Sequence, residues 1–243
     1  MSGLSASQIK FIRSLGQKKF REESGLFLAE GEKIVSEAMA SDFKVVEIYR
    51  SEEIGRACME RISQLASPSP VLAVIEQKKS LPDTCIASLI KRDPAPLCLA
   101  LDGVRDPGNL GTILRLADWF GIDAVFASED TVELYNPKVV QATMGAIFRT
   151  NVIYAPLPGI LEKFRAAGLP VYGTFLDGDN LYRTKPESRG LIVMGSESSG
   201  ISSPVGALVS HKLLIPPYPA DARTSESLNV AIATAIICAE FRR

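Results

Sequence analysis

The sequence predicts an α/β protein whose larger part is built on a parallel sheet. After residue 97, short apolar runs alternate with segments of helical periodicity, the pattern of a parallel sheet with helices on both faces. The residues before it predict a smaller α/β domain. The segment KRDPAPL at 91–97 holds two prolines and three charges, which is typical of a linker. We therefore predict two domains, residues 1–93 and 94–243.

The predicted elements follow the chain in a regular order. In the first domain, helices are predicted near 5–15, 32–40 and 54–65, and strands near 25–29, 45–49 and 71–75. In the second domain, strands are predicted near 97–101, 124–127, 152–153, 170–175, 191–194 and 213–215. Helices near 113–120, 137–148 and 160–167 lie between them. A last helix, from about Leu228 to Ala239, is apolar on several faces, so we expect it to be deeply buried.

Composition and charge argue against several classes of protein. The chain has 27 basic and 28 acidic side chains, although residues 1–21 hold five basic side chains and no acid. No apolar run is long enough to span a membrane, and the N-terminus lacks the apolar core of a secretory signal. Four cysteines without a CxxC pair, and a single histidine, His211, predict neither a zinc site nor a disulfide framework. We expect a reduced, cytoplasmic protein with no bound metal and no membrane partner.

Ligands of parallel sheets bind beyond the carboxyl ends of the strands, which directs attention to the loops there. The first such loop begins DPGNLGTILRLADWFG at 106–121. Gly108 and Gly111 are the only glycines placed for a dinucleotide fingerprint, and the lysine of a P-loop is absent. Asn109 is a good helix N-cap, so capping and ligand binding are equally supported here. Arg115 is an unexpected charge on a helix that otherwise looks suited to packing.

Two later loops carry the other candidate residues. GSESSGIS at 195–202 brackets Glu197 with glycines but lacks the nucleophile elbow of a serine hydrolase, so Glu197 is either a ligand-positioning carboxylate or an exposed loop acid. In TSESLN, Ser225 or Ser227 can cap the last helix. Asn229 begins that apolar helix and must have a partner, because an unpaired buried amide is costly. That partner is either a backbone cap or a substrate.

Together these segments resemble the SpoU (TrmH-type) family of RNA ribose methyltransferases, within the SPOUT superfamily. The resemblance rests on DPGNLGTILRLADWFG, LIVMGSESSGIS and IPPYPADARTSESLNVAIATAI, in the family's order. KKFREESGLFLAEGEKIVSEA also resembles the small RNA-binding domain that many members carry first. The resemblance implies a trefoil-knotted α/β methyltransferase domain, S-adenosylmethionine as cofactor and transfer or ribosomal RNA as substrate. It also implies a homodimer with the active site at the subunit interface.

The resemblance assigns roles to individual residues. Arg115 would bind the neighbouring phosphate and contact the ribose hydroxyl, with Asn109 and Glu197 fixing its fork geometry. Ser227 and Asn229 would complete the catalytic set by lining the ribose. The cofactor would be held by Thr174, Met194, Gly195, Gly200, Ile215, Ser227 and Leu228. RNA would be bound by Lys10, Lys18, Lys19 and Arg21.

Two alternatives to RNA methylation remain open from the sequence. A nucleotide-cofactor oxidoreductase on an open sheet would bind NAD, but the glycine fingerprint is incomplete. A non-catalytic RNA-binding module would have damaged motifs, whereas the motif residues match. One departure from the family affects the cofactor contacts, because the link PYPADARTSE at 217–226 is longer than usual and contains no glycine.

Overall fold

The computed structural model describes residues 3–78, 83–219 and 227–243, without the side chains of residues 83–85. The chain divides into two compact units, one formed by residues 1–79 with 133–149 and the other by residues 80–132 with 150–243. The boundary between residues 93 and 94 stays a prediction. None of the described helices is long and apolar enough to cross a membrane.

The helices and strands of the described residues are numbered in chain order. The helices are α1 (Ala6–Ser14), α2 (Lys18–Ser24), α3 (Glu32–Met39), α4 (Ser51–Ile54), α5 (Arg56–Ile62), α6 (Asp83–Ile90), α7 (Pro107–Trp119), α8 (Pro137–Thr143), α9 (Leu157–Ala166), α10 (Ser203–Gly206) and α11 (Val230–Phe241). The strands are β1 (Leu26–Glu30), β2 (Val45–Arg50), β3 (Val71–Glu76), β4 (Leu97–Asp102), β5 (Val125–Ala127), β6 (Val152–Tyr154), β7 (Val171–Asn180), β8 (Gly190–Gly195) and β9 (His211–Leu214).

The first unit is a three-stranded antiparallel sheet in the order β1-β3-β2, packed against helices. Helix α1 begins with a capping box between Ser5 and Gln8, and its buried face lies against α5 and the sheet in one apolar cluster. Residues 133–149, far along the chain, belong to this unit. The Tyr135 ring stacks against Phe27 with centroids 4.6 Å apart, and the ring of Phe148 meets Phe43 edge to face.

The second unit is a six-stranded parallel sheet in the order β6-β5-β4-β8-β7-β9. This confirms the predicted α/β class and the parallel sheet. Strands β4 and β8 are buried along nearly their whole length, which is why they appear in the sequence as continuous apolar runs. Alternate residues of the central strands pack with α6 and α9 in one apolar cluster, while α11 packs on α7 and on β8.

The chain leaves the two central strands in opposite directions. From β4 the chain continues to β5, towards the β6 edge of the sheet. From β8 it continues to β9, which is the strand at the opposite edge. Such a reversal opens a crevice beyond the carboxyl ends of the two strands. The loops at 103–106 and 196–202 therefore meet there. The trefoil knot that the resemblance implies stays a prediction.

Several predicted elements need correction. Helices α2, α4, α6 and α10 are missing from the predictions, and the helix expected near 54–65 is α5, which begins after Gly55, whose φ is +83°. The helix expected at 137–148 ends at Thr143, because Met144 and Gly145 adopt left-handed conformations with φ of +51° and +98°. The expected deep burial of the last helix is wrong for the single chain, since Ile232 on α11 is 54% exposed.

Candidate active site

The first candidate loop positions Asn109 on a helix rather than at its cap. Helix α7 is capped by Asp106, whose Oδ1 accepts a 2.8 Å hydrogen bond from the Asn109 backbone N–H, and Pro107 occupies the first turn. The expectation that Asn109 caps this helix is therefore wrong. Because Asp106 performs that role, the Asn109 amide side chain is free to point into the crevice.

Asn109, Glu197 and Asn229 form a closed hydrogen-bonded trio. The Asn109 Nδ2 atom donates to Glu197 Oε1 at 2.9 Å, and the Asn229 Nδ2 atom donates to the same oxygen at 2.7 Å. Asn229 Nδ2 also lies 2.9 Å from Asn109 Oδ1, to which it donates. One residue from each of the three motifs therefore meets at one point. Two amide donors on one oxygen hold the carboxylate in a fixed orientation.

Asn229 also caps the last helix. Its Oδ1 accepts from the backbone N–H groups of Ala231 at 3.0 Å and of Ile232 at 3.2 Å. The expectation that Ser225 or Ser227 caps this helix is wrong for Ser227, while Ser225 lies outside the described residues. The oxygen of Asn229 thus satisfies the helix and its nitrogen reaches Glu197. Both partners that the sequence left open, a cap and a site contact, are present.

The Glu197 loop is held by close backbone packing. Ser196 and Gly200 exchange two 3.0 Å backbone hydrogen bonds, and Gly200 has a φ of +64°. A Cβ at Gly195 would lie 2.2 Å from the carbonyl carbon of Gly200, so no larger residue fits. At the end of the loop, the Ser202 backbone N–H donates to Asp102 Oδ2 at 2.7 Å, which ties the loop to the end of β4. Sequence reasoning missed the roles of Asp102 and Asp106.

Arg115 lies apart from this trio. It is exposed on α7, and among the residues that the structure describes it makes no hydrogen bond or ion pair. Six residues of helix correspond to about 9 Å along the axis. The expectation that Asn109 and Glu197 hold the guanidinium is therefore not met within one chain. The guanidinium is available to a phosphate, which it can bind through two parallel N–H donors.

The three motifs and their geometry agree with a family match. Residues 96–239 match the model of the SpoU rRNA methylase family, and residues 6–79 match the MRM3-like substrate binding domain. The chain belongs to the SpoU rRNA methylase family. The alternative of a nucleotide-cofactor oxidoreductase is thereby set aside.

Individual relatives span nearly the whole chain. The 23S rRNA (guanosine(2553)-2'-O)-methyltransferase of Bacillus subtilis is 30% identical over 97% of this chain and 96% of its own. A TrmH-family protein of Porphyromonas gingivalis superposes with a TM-score of 0.84 at 38% identity, covering 99% of both chains. An AdoMet-bound rRNA methyltransferase of Sinorhizobium meliloti superposes with a TM-score of 0.84 at 29% identity, covering 100% of this chain and 96% of its own.

The residues that the SpoU resemblance assigns to a cofactor lie around one edge of the sheet. Thr174 is on β7, Met194 and Gly195 end β8, and Ile215 follows β9. Because β8, β7 and β9 are neighbours in the sheet and parallel, their carboxyl ends lie side by side. The remaining three residues are in the Glu197 loop or just before α11: Gly200, Ser227 and Leu228. Residues 220–226 of the long link lie outside the described part of the chain.

The basic residues assigned to RNA lie on α1 and α2 of the first unit. Lys10, Lys18 and Lys19 are exposed. Arg21 is only 1% exposed, and its guanidinium forms a bidentate ion pair with Glu133 and donates to the Leu15 carbonyl at 2.8 Å. The prediction that Arg21 binds RNA is therefore wrong. Three of its five N–H donors, one on each guanidinium nitrogen, have partners inside the unit.

Proposed function

We propose that this protein transfers a methyl group from S-adenosylmethionine to a ribose 2′-hydroxyl of ribosomal RNA. The observation that carries the proposal is the trio of Asn109, Glu197 and Asn229, one residue from each family motif, joined in the crevice between β4 and β8. Relatives named as 23S rRNA 2′-O-methyltransferases support ribosomal RNA as the substrate.

The strand ends fit S-adenosylmethionine. Strands β7 and β8 pair with each other as far as Gly173 and Val193, so the backbone N–H and C=O groups that follow on their facing edges can bind a purine edge. Leu228, which is 46% exposed, offers an apolar surface next to the trio. We therefore propose that Thr174, Met194, Gly195, Gly200, Ile215, Ser227 and Leu228 hold the cofactor. The rRNA methyltransferase of Sinorhizobium meliloti is AdoMet-bound, which supports the same assignment.

When bound, this cofactor supplies a methyl group that is activated by the positive sulfonium. The ribose hydroxyl is a poor nucleophile, so its position and its proton are the task of the protein. Glu197 Oε1 is occupied by two amide donors, while Oε2 has no partner among the described residues. We assign to Oε2 the acceptance of a hydrogen bond from the hydroxyl. Arg115 holds the adjoining phosphate through its N–H donors, and Ser227 lines the ribose.

We also propose that the protein acts as a homodimer. An apolar surface is exposed in the single chain: it consists of Leu228, just before α11, and of Ile232 and Ala239 on α11. Trp119 at the end of α7 is also 84% exposed. Exposed apolar surface of this extent is typical of an interface. A partner chain would cover it and would bring its own Arg115 near the site. Ile232→Glu should shift the protein from dimer to monomer in analytical ultracentrifugation, whereas Lys163→Glu on the surface of α9 should not.

RNA recognition would fall to the first unit, which contains the substrate-binding match. Lys10, Lys18 and Lys19 are exposed and would contact phosphates, as is usual for structured RNA. Lys18 and Lys19 have only weak, exposed partners four residues away, at 3.6 and 3.9 Å, so these ion pairs are easily exchanged for phosphate. We further propose a cytoplasmic location and a knotted path for the catalytic domain.

The test is transfer of a labelled methyl group from S-adenosylmethionine to 23S rRNA transcribed in vitro. After nuclease digestion, the label should be in a 2′-O-methyl nucleoside. Arg115→Ala should lower turnover at least about 100-fold while calorimetry shows unchanged binding of S-adenosylmethionine. Arg165→Ala, which removes an exposed arginine from α9, is the matched control. No label in RNA, or a label on a base, would overturn the proposed activity, and near-normal turnover of Arg115→Ala would overturn the role of Arg115.

A further inference from the structure

A cleft of about 320 Å³ lies in the first unit, which does not contain the trio. Its walls come from three segments that are distant in sequence: β1, the turn after α5, and α8. The apolar part of the lining consists of Leu28, Leu65, Pro137, Val140 and Ala142. This volume is at the lower end of the roughly 300–1,000 Å³ of small-ligand pockets. The cleft can therefore hold one planar group of modest size.

Two polar side chains at the cleft have no partner among the residues that the structure describes. The Gln141 amide and the Lys138 ammonium line the cleft, and neither side chain makes a hydrogen bond or ion pair with any residue that the structure describes. Gln141 is only partly exposed, so its amide is partly withdrawn from water without compensation. A ligand that pairs with this amide would recover a hydrogen bond at little ordering cost.

Glu30, in contrast, has a hydrogen-bond partner within the protein for each of its carboxylate oxygens. It is 5% exposed, and its two oxygens accept from the Ser63 hydroxyl and the Gln64 backbone N–H, both at 2.6 Å. These contacts fix the turn after α5, which forms one wall. Gln64 donates through Nε2 to the Arg13 carbonyl at 3.2 Å, and its amide lies close to Gly16. The cleft is thus a preformed space with fixed walls and a small set of available polar groups.

We propose that this cleft binds one unpaired nucleotide of the RNA substrate, other than the methylated one. Apolar walls match the faces of a base, the Gln141 donor and acceptor match a base edge, and the Lys138 ammonium matches the phosphate of the same nucleotide. A folded peptide segment would need a longer groove than this cleft of about 320 Å³. The inference rests on the proposed function in that the substrate is RNA.

The assignment gives the first unit a role beyond phosphate contacts. Contacts by Lys10, Lys18 and Lys19 with phosphates carry no sequence information, whereas a base held in a cleft does. Because Pro137, Lys138 and Gln141 come from the segment 133–149, part of the SpoU match lines the cleft of the substrate-binding unit. The cleft would therefore select which unpaired nucleotide is presented.

The first test is photo-cross-linking of the full-length wild-type protein. The probe is 23S rRNA transcribed in vitro with 4-thiouridine in one preparation and 6-thioguanosine in another. We expect cross-links to peptides that contain residues 137–142 or 64–65, identified by mass spectrometry. The same preparations are assayed for methyl transfer, so failure of the proposed activity is recognised separately from failure of the cleft.

The second test compares variants in steady-state methyl transfer. Gln141→Leu keeps the size of the side chain and removes its amide, so the KM for RNA should rise about fivefold to tenfold with a smaller effect on kcat. Lys138→Gln should also raise this KM, whereas Lys33→Gln, which removes the same charge from exposed α3, should not. The affinity for S-adenosylmethionine is the control for folding. Active wild-type protein with no cross-links at the cleft, and variants whose KM stays within twofold, would overturn the proposal.

Discussion

The buried ion pair between Arg21 and Glu133 predicts a stability effect that differs between its two members. The Arg21 side chain is 2% exposed and that of Glu133 is 20% exposed. Glu133→Gln leaves the guanidinium buried without a counter-charge, which costs about 3–5 kcal/mol. Arg21→Met leaves a carboxylate that water can partly reach, and removes one 2.8 Å bond to the Leu15 carbonyl. We expect this variant to lose about 2–3 kcal/mol, the sum of one unpaired carbonyl and one partly hydrated carboxylate.

Hydrogen exchange measured by mass spectrometry gives the free energy of opening of this unit through peptides from β1 and β3. The double variant, Arg21→Met with Glu133→Gln, should lose less than the sum of the single losses, because no unpaired charge remains. Lys19→Met, an exposed neighbour on α2, should weaken RNA binding and leave exchange unchanged. A stable Arg21→Met protein with weakened RNA binding would refute the structural role and restore Arg21 as an RNA contact.

Three further predictions concern the site, the thiols and the domain division. Glu197→Gln removes the carboxylate that receives two amide donors, so kcat should fall at least about 100-fold while the protein stays folded; a small kcat change would contradict its assigned role. Burial raises the pKa of Cys98 and of Cys238 to about 12. The stability that these buried thiols contribute is complete below the unfolded thiol pKa and is lost as pH rises towards 12, so the urea midpoint of unfolding should fall from about pH 8.5 upwards. At neutral pH, a thiol reagent should label Cys58 faster than Cys98 or Cys238. Equal labelling rates would contradict the burial of Cys98 and Cys238. Deleting residues 1–93 should remove the residues against which 133–149 pack and lower the melting temperature of the remaining protein. An unchanged melting temperature would show that residues 133–149 do not depend on residues 1–93 for stability.

The strands of the parallel sheet could be predicted because they appear in the sequence as short apolar runs. Strands β4 and β8 are buried on both faces, so the sequence shows them as uninterrupted apolar runs. The order of the strands is not contained in such runs. The adjacency of β4 and β8, which creates the crevice, depends on long-range pairing that periodicity does not report. The family resemblance supplied the association of the three loops that local reasoning left unrelated.

Within the site, sequence reasoning identified Asn109, Glu197 and Asn229 but assigned the cap of α7 to Asn109 instead of Asp106. Asp106 and Asn109 are both good caps by residue type, and only the position of Pro107 in the first helical turn distinguishes them. That signal was available in the sequence. The burial of Arg21 was not, because its partner Glu133 is 112 residues away and belongs to a segment that joins the first unit only in three dimensions.

The last helix shows what hydrophobic periodicity measures. The sequence places Leu228, Ile232 and Ala239 on one apolar face and predicts deep burial, yet that face is the exposed one in the single chain. Its opposite face, which includes Thr234 and Cys238, is buried. A helix that is apolar on every side must be covered on every side, and one chain covers only half of α11. The periodicity therefore describes the assembled protein, and the homodimer that we propose accounts for the half that the single chain leaves exposed.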